Sequence, residues 1–442
     1  MTPPDHRNRP RDSTPASPPA AAPAPPSLTR SPFESDSFTS ATFVAVGHGP
    51  TVALAVVWLV TRVGMLALLA SDSLGIGGVG NEVRLLYRHW YGFFADGAFP
   101  PADPTWQYPP GAGLVVMAPG VLMPWLGYTQ AFVVLTLLAD AAVTLGLAVA
   151  DRSRLTHGAW YWVCGLPLLL HLPLARYDVQ ATALAVLSLL LLKGRAPAAH
   201  RLGGVLAGLG ALVKVWPALA LIGTPRGRTT REAWTAAAVT AAALLAALAL
   251  FFSDSLGFLR HQGARGVQVE SLGGTALALG RASGLWPGTT ELRYGAYEYV
   301  GPYVSTLGHL FLLLTVAAVL WLVLWRLRAT RWSEATPLDA ALAAVLLLTV
   351  TSRVISPQYL VWLLGLAAVC LTSRRTVMRP VALLLLPAAA LSSLAYPVLY
   401  AEVVTGTPLG LAVMAARNGL LLAAAAVAAH RLWRATVPPV EE

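Results

Sequence analysis

The chain has 442 residues, of which 56% are hydrophobic and only 12% are charged. Soluble domains average about 25% charged residues, so this chain has too few charges to cover a water-exposed surface of its size. Its net charge of +10 sits mainly in short connections between apolar runs, not on one basic face. That placement follows the positive-inside rule of membrane proteins and argues against nucleic acid as a partner.

Residues 1–41 are dominated by Pro, Ala, Ser and charged residues. A segment of this composition cannot bury enough apolar surface to fold, so we expect a disordered cytoplasmic tail. The first apolar run follows it and is longer than the core of a signal peptide, which predicts a signal-anchor helix over residues 42–70. We expect the membrane domain to cover residues 42–432 and to end in a short tail at 433–442.

Apolar segments then follow one another along the chain and predict an all-α integral membrane protein, a polytopic bundle of about 10–12 transmembrane helices. Runs of this length in lipid must be helical, because every backbone amide needs a partner within the segment. After residues 42–70, the segments are expected at 111–125, 128–150, 158–174, 179–192, 202–223, 234–252, 304–326, 338–350, 359–371, 381–399 and 409–432.

Two of these segments carry complications. The segment 202–223 contains Lys214 and Pro217 in its middle, which predicts a broken or kinked helix. If every segment crossed the membrane, the basic residues at 193–201 would lie on the outer side, which contradicts the positive-inside rule. Either one segment within 111–174 is re-entrant, or 202–223 is a hairpin.

Two long polar connections, at residues 71–109 and 253–303, are both expected on the outer side of the membrane. Within the first, Glu82–Phe94 is predicted to form a short helix in the interface. The apolar residues that fall near one face of this helix are Leu85, Leu86, Trp90 and Phe93.

The first connection brings carboxylates and aromatic rings together. A carboxylate can take a hydroxyl proton and an aromatic face can pack against a sugar ring, so this mixture is typical of a sugar site. An interfacial aromatic belt with solvated charges is the alternative for the same residues. The candidates here are Glu82, Tyr87, Asp96, Asp103, Trp106 and Tyr108.

The second connection and the apolar segments carry the other candidates. His261 and Arg265, set among glycines, suit an anionic phosphate that the backbone must approach closely. Lys214 either meets such a phosphate or snorkels to the membrane surface. Arg176 and Asp178 either neutralise each other or act in the site, and Asp140 and Arg417 are each expected in structural pairs. The remaining candidate is Glu270.

The set of motifs resembles the GT-C membrane glycosyltransferases, and more narrowly glycosyltransferase family 87. That family includes polyprenyl-phosphomannose-dependent alpha-mannosyltransferases and related arabinofuranosyltransferases. The resemblance covers about residues 42–432 and rests on ordered motifs rather than on any one of them. These are the WQYPPG run at 106–111, Arg176-Tyr177-Asp178, Lys214-x-x-Pro217, the run from His261 to Ser271, and Ile355-Ser356-Pro357-Gln358-Tyr359.

The resemblance implies a GT-C-type bundle that transfers a sugar, with inversion, at the outer face of the plasma membrane. The donor would be a polyprenyl-phosphate sugar, mannose first and arabinofuranose next, and the acceptor a glycolipid or cell-wall polysaccharide. Glu82 would be the general base, with Asp96 and Asp103 as fallbacks, although the family usually has an aspartate there. His261, Arg265 and Lys214 would hold the phosphate. The sugar pocket would be formed by Tyr87, Trp106, Tyr108, Asp178 and Glu270.

The sequence lacks the features that other functions would require. The chain has no Walker loop, no dinucleotide-binding glycine motif and no zinc-ligand pattern. Nothing therefore indicates ATP, nicotinamide or zinc, and no cofactor is expected. The sequence does not decide whether a divalent metal assists the reaction. A secondary transporter or lipid flippase would show paired broken helices in two repeated halves, which this sequence lacks. A non-catalytic scaffold is the third interpretation, and it would tolerate substitutions throughout both loops.

Overall fold

The computed structural model of the chain describes residues 48–100, 106–151, 156–257 and 266–438, with side chains from residue 51 onward. The expected cytoplasmic tail at 1–41 lies outside the described residues, as do three of the candidate site residues, Asp103, His261 and Arg265. The last four residues of the expected C-terminal tail also lie outside them.

The described residues are almost entirely helical. The α-helices, in chain order, are α1 His48–Ser71, α2 Arg88–Ala95, α3 Ala112–Met117, α4 Tyr128–Ala150, α5 His157–Gly165, α6 Asp178–Leu192, α7 Pro197–Val213, α8 Arg228–Phe251, α9 Leu272–Ala282, α10 Val304–Arg328, α11 Thr336–Val350, α12 Tyr359–Leu371, α13 Arg379–Ser393, α14 Tyr400–Thr405 and α15 Pro408–Thr436.

Six of the described helices are long and apolar enough to cross a membrane, which confirms an all-α polytopic membrane protein. They are Thr51–Ser71, Tyr128–Ala150, Arg228–Phe251, Val304–Arg328, Arg379–Val398 and Pro408–Thr436. Four further apolar helices are shorter than the roughly 20 residues of a straight crossing. These are Ala112–Val121, Asp178–Leu192, Thr336–Val350 and Tyr359–Leu371. The 10–12 predicted segments therefore include short helices among the long ones.

Prolines shorten two of the predicted segments. The segment predicted at 158–174 is a nine-residue helix, α5, followed by 3₁₀ turns at Leu166–Leu169 and Leu172–Ala175. Each 3₁₀ turn has a proline near its start, which cannot donate a backbone hydrogen bond to a continuing α-helix. The predicted break in 202–223 is confirmed, because α7 ends before Lys214 and a 3₁₀ turn follows at Trp216–Leu221.

The short helix predicted after α1 is present, and its apolar face agrees with the prediction at Leu86 and Trp90 but not at Leu85. A π-helical turn, Glu82–Tyr87, leads directly into α2. Leu85 is 66% exposed, whereas the buried side chains are Val83, Tyr87, Trp90 and Phe94. The reason is that this face packs into an aromatic cluster of the protein with Phe99, Trp106, Phe132 and Tyr177. The helix therefore faces the core of the protein and not only the lipid interface.

The second long connection contains a small antiparallel sheet that the sequence analysis did not predict. Its strands are β1 Val267–Gln268, β2 Thr289–Arg293 and β3 Ala296–Val300, in the order β1-β3-β2. In register, Gln268 pairs with Glu298. The β2–β3 hairpin turns at Tyr294 and Gly295, which both have positive φ, as the tight turns of hairpins require.

A charged pair lies inside the helical bundle and confirms the expected role of Asp140. The carboxylate of Asp140 accepts hydrogen bonds of 2.8 Å from both Arg62 Nε and Arg62 Nη2, and it is also bound by the indoles of Trp58 and Trp162 at 2.7 Å. Charges at membrane depth are costly unless they are paired in this way. The network joins helices α1, α4 and α5.

Candidate active site

The two long connections meet at one cavity of about 590 Å³. The first contributes Glu82, Gln107 and Tyr108, and the second contributes Gln268, Glu270 and the hairpin turn at Tyr294 and Gly295. The connections also touch directly, because Phe99 N donates to the carbonyl of Ser253 at 3.0 Å. They therefore lie on the same side of the bundle, and the cavity has the size of a small-molecule site.

Glu82 faces this cavity with a cationic partner. Its Oε2 lies 3.5 Å from Nη2 of Arg176, and the Glu82 side chain keeps 24% of its surface exposed. Arg176 therefore pairs with Glu82, and it does not neutralise Asp178. Arg84, two residues after Glu82, lies 3.2 Å from Asp72. A carboxylate that is paired with a guanidinium and is still accessible can contact a substrate in the cavity.

Hydrogen bonds with Asp72 and Arg176 fix the backbone that precedes Glu82 in the chain. Asp72, just after α1, accepts a hydrogen bond of 2.9 Å from the amide of Gly80. Arg176 donates to the carbonyl of Val79 at 3.1 Å. Glu82 then opens the π-helical turn, and such turns are rare and occur frequently at functional sites. Asp72 was not recognised in the sequence analysis, because nothing in its local pattern shows that it holds this segment.

The WQYPPG run places Tyr108 on the cavity wall. Pro109, directly after Tyr108, restricts the backbone of Tyr108 and keeps it out of a helix. Gly111 then lies so close to α7 that a Cβ atom there would be 2.6 Å from the carbonyl carbon of Leu212. The Tyr108 ring packs edge-on against Tyr177 with a centroid distance of 5.2 Å.

Two of the predicted pocket residues lie behind this wall. Tyr87 and Trp106 are almost fully buried in the aromatic cluster and are not among the described residues that line the cavity. Trp106 contacts Tyr108 edge-on with a centroid distance of 5.7 Å. Burial raises the pKa of Tyr87 well above its ordinary value, so its phenol stays neutral. Both residues support Tyr108 from behind.

Lys214 lines the cavity at the break after α7, and Asp178 lies directly behind it. Lys214 Nζ is 2.5 Å from Oδ1 of Asp178, which also accepts a hydrogen bond of 2.6 Å from Trp362 Nε1. The ammonium lies 4.7 Å from the ring centroid of Tyr177 and 4.8 Å from that of Trp362. Aromatic faces of this kind stabilise a desolvated cation. Asp178 thus orients Lys214 and is not itself part of the cavity lining.

Gln268 and Glu270 form the opposite part of the polar lining. Gln268 Nε2 donates to Glu270 Oε2 at 2.8 Å, and both side chains are at most 3% exposed. From α15, Arg417 Nη1 donates to the carbonyl of Glu270 at 2.7 Å. Burial raises the pKa of Glu270 to about 7, although Arg417 and Gln268 act in the opposite direction. Arg417 thus supports the site through the backbone, a role that its place within an apolar run did not indicate.

The remaining predicted residues fall elsewhere. Asp96 is exposed at the end of α2 and is not among the described residues that line the cavity. No group of three or more potential metal ligands occurs within the parts of the chain that the structure describes. The described charges of the cavity are Glu82, Arg176, Lys214 and Glu270.

This arrangement is suited to group transfer onto a hydroxyl. An accessible carboxylate can accept a proton, neighbouring cations can stabilise an anionic leaving group, and buried amide and carboxyl groups can bind sugar hydroxyls. The motif at 355–359 also reaches the site, since Ser356, Pro357, Gln358 and Tyr359 line the cavity.

Comparisons with known proteins agree with this chemistry. The family model described as glycosyltransferase family 87 matches residues 106–357, which is more than half of the chain. Searches of curated proteins and of solved structures find no match. The matched range contains Tyr108, Arg176, Lys214, Gln268 and Glu270, and its family is one of sugar-transferring enzymes, which decides against a transporter or a scaffold. This chain belongs to glycosyltransferase family 87 and is a membrane glycosyltransferase.

Proposed function

We propose that this glycosyltransferase moves a sugar, mannose first and arabinofuranose next, from a polyprenyl-phosphate donor to a lipid-linked or cell-envelope glycan. The reaction would take place at the outer face of the plasma membrane. The observation that carries the proposal is the convergence of both long connections on one cavity, where Glu82 and two cations meet.

Glu82 is the proposed general base. Its carboxylate takes the proton of the acceptor hydroxyl while the hydroxyl oxygen bonds to C1 of the donor sugar. The bond between C1 and the phosphate oxygen breaks, and polyprenyl phosphate leaves with the electron pair. Attack from the face opposite the phosphate inverts the configuration at C1. Arg176, 3.5 Å from Glu82, orients the carboxylate at the cavity.

Lys214 and Arg176 are the described cations available to the phosphate. Lys214 Nζ keeps two further hydrogen-bond donors after it binds Asp178, because an ammonium has three. His261 and Arg265 belong to the same proposed phosphate site and lie outside the described residues. Stabilisation of developing charge by fixed cations is a large contribution to catalysis of this type.

An apolar flank of the cavity suits the polyprenyl chain. Val215, Leu219, Val345 and Leu348 line the cavity beside Lys214. Val215, which directly follows Lys214, is 71% exposed. A lipid-linked donor could therefore place its phosphate at Lys214 while its chain stays in contact with apolar side chains and lipid.

The test is sugar transfer by purified protein in detergent or liposomes. Radiolabelled polyprenyl-phosphomannose and polyprenyl-phosphoarabinose are offered in parallel with a lipid extract of the source cells as acceptor. Glu82→Gln keeps the size of the side chain but removes the base, so we expect transfer to fall about 10²- to 10⁴-fold. Glu291→Gln, an exposed residue of the β2–β3 hairpin paired with Arg293, is the matched control and should keep full activity.

Each outcome has a distinct meaning. Transfer by wild type that is lost in Glu82→Gln supports both the reaction and the base. Equal transfer by both proteins removes Glu82 as the base and leaves the donor class intact. No transfer from either donor by correctly folded wild type contradicts the polyprenyl-phosphate donor.

A further inference from the structure

Two buried side-chain oxygens at the cavity have no hydrogen-bond partner within the described structure. They are Oε1 of Gln268 and Oε1 of Glu270. Both residues line the cavity, and both are at least 97% buried. A buried polar atom without a partner costs roughly 1–3 kcal/mol, so an atom of this kind that borders a cavity is a candidate to bind water or a ligand there.

The two side chains hold each other in one orientation. Gln268 Nε2 donates to Glu270 Oε2 at 2.8 Å, which uses one polar atom of each residue and leaves both Oε1 atoms unpaired. Gln268 ends β1, and Glu270 follows it in a turn that the hydrogen bond from Ser271 N to the carbonyl of Gln268 closes. The hydrogen bond between the two side chains keeps them next to each other. The pair therefore offers two neighbouring polar atoms to the cavity.

The backbone that carries the pair is fixed from three directions. Gln268 N donates to the carbonyl of Arg353 at 3.0 Å, and Ser271 N donates to the carbonyl of Gln268 at 3.0 Å. Arg417 and Asn418 of α15 both donate to the carbonyl of Glu270, at 2.7 and 3.3 Å. Close packing completes the support, because a Cβ atom at Gly274 would lie 2.3 Å from the carbonyl oxygen of Gln268. A binding group held in this way loses little entropy when a ligand arrives.

The chemistry of the pair fits two adjacent hydroxyls of a sugar ring. A hydroxyl both donates and accepts hydrogen bonds, so one can donate to the amide oxygen of Gln268. The other can donate to the Glu270 carboxylate, or accept from it when the carboxyl is protonated. An anion is disfavoured by the two oxygens, and a flat apolar group would leave both of them unpaired.

We infer that Gln268 and Glu270 form a rigid subsite that recognises vicinal hydroxyls of a sugar held in the cavity. The inference rests on the proposed function, because a sugar must enter this cavity. Glu82 and Tyr396 line the same cavity as the pair. The subsite therefore shares the cavity with the proposed base, where either the donor sugar or an acceptor sugar could supply the hydroxyls.

The first experiment measures binding and needs no turnover. Methyl mannoside, methyl arabinofuranoside and their monodeoxy analogues are tested against purified full-length protein by saturation-transfer NMR. We expect wild type to bind one glycoside and to lose binding when one of two adjacent hydroxyls is absent. Gln268→Ala and Glu270→Ala should lose this discrimination. Glu298→Gln is the matched control, since Glu298 is a buried neighbour paired in register with Gln268 but is not among the described lining residues.

The second experiment separates the two sources of the hydroxyls. Transfer is measured with monodeoxy donors and, separately, with monodeoxy acceptors. We expect one series to lower kcat/KM of wild type about ten- to a hundredfold, and Gln268→Ala to show no further loss with the same analogue. The series that responds identifies the sugar that occupies the subsite.

The inference is overturned if Gln268→Ala and Glu270→Ala bind the analogues with the same preferences as wild type. It is also overturned if wild type binds no glycoside in the first experiment. Selective binding without transfer from a polyprenyl-phosphate sugar would keep the subsite and contradict only the proposed donor. Thermal unfolding of each variant in detergent, together with the Glu270→Gln variant, separates lost recognition from lost folding.

Discussion

At the scale of single residues, the pair between Arg62 and Asp140 is the clearest test of how this chain keeps charge inside its bundle. Both side chains are about 2% exposed, and Asp140 also binds two indole groups. Asp140→Ala leaves the Arg62 guanidinium buried without its carboxylate. We expect the free energy of unfolding to fall by about 3–5 kcal/mol, measured as a lower unfolding temperature in detergent.

The double variant Arg62→Leu/Asp140→Leu is the control for this prediction. It removes both charges and fills the space with apolar atoms, so it should be more stable than Asp140→Ala alone. If Asp140→Ala unfolded at the same temperature as wild type, the loss of the carboxylate beside the buried Arg62 guanidinium would not destabilise the protein, which would contradict the prediction.

Glu270 makes stability depend on pH in a direction opposite to that of an ordinary ion-paired carboxylate. Burial raises its pKa from 4.5 to about 7 in the folded state. Between these values the folded chain holds more protons than the unfolded chain, so stability falls as pH rises through this window. The fall is at most about 3 kcal/mol, at about 1.4 kcal/mol per pH unit, and it levels off above pH 7.

Thermal unfolding of ligand-free protein from about pH 4.5 to 8 measures this contribution. Glu270→Gln cannot ionise and should show a flatter profile than wild type across the window. Glu291→Gln removes a carboxylate from the exposed hairpin of the same connection and should keep the wild-type profile. Parallel profiles for wild type and Glu270→Gln would contradict the raised pKa.

At the scale of elements, the close contact of the WQYPPG run with α7 decides where Tyr108 stands. A Cβ atom at Gly111 would lie 2.6 and 2.7 Å from the carbonyl carbon and oxygen of Leu212, which are backbone atoms and cannot rotate away. Gly111→Ala should therefore cost about 1–3 kcal/mol of stability and move Tyr108 from the cavity wall. We expect a lower unfolding temperature together with reduced sugar transfer.

Gly92 provides a matched control for this substitution. It lies within α2, and a Cβ atom there would meet nothing within 4 Å. Gly92→Ala should be neutral or should stabilise the helix by about 0.5–1 kcal/mol, because alanine loses less backbone entropy than glycine. If both variants behaved alike, the contact between Gly111 and α7 would not determine the position of this segment.

The elements that could be predicted from the sequence are those with long apolar runs and clear ends. Helix α12 was predicted at residues 359–371 and spans Tyr359–Leu371, following directly on a proline turn. The sheet was not predicted, because the strand Thr289–Arg293 is mostly exposed and shows no apolar alternation. Segment 158–174 was predicted as one helix because its two prolines lie within an otherwise apolar run.

Part of the cavity lining could be predicted from the sequence, but the pairing of its charged residues could not. Glu82, Tyr108, Lys214 and Glu270 were chosen from local chemistry and all line one cavity. Arg176 and Asp178 looked like partners because they are two positions apart. Residues at that spacing do not face each other at a helix start, and each instead pairs with a distant residue, Glu82 or Lys214.

At the scale of the whole molecule, the connections between the candidate spanning helices predict the side of the membrane on which the cavity opens. The spanning helix α8 runs from Arg228 to Phe251, and its end meets the first long connection at Ser253. The β2–β3 hairpin lies between that end and the next spanning helix, α10. A crossing by α8 would put the hairpin and the start of α8 on opposite sides of the membrane. Basic residues cluster at the start of α8, which the positive-inside rule assigns to the cytoplasm.

Thiol labelling of intact cells tests this orientation. The native cysteines, Cys164 and Cys370, are first replaced by alanine, and a single cysteine is then introduced as Arg293→Cys in the hairpin or Arg231→Cys near the start of α8. Both positions are exposed. A membrane-impermeant maleimide should label Arg293→Cys in intact cells and Arg231→Cys only after the membrane is opened. The reverse pattern would turn the cavity toward the cytoplasm, where nucleotide sugars are available, and would contradict a donor used at the outer face.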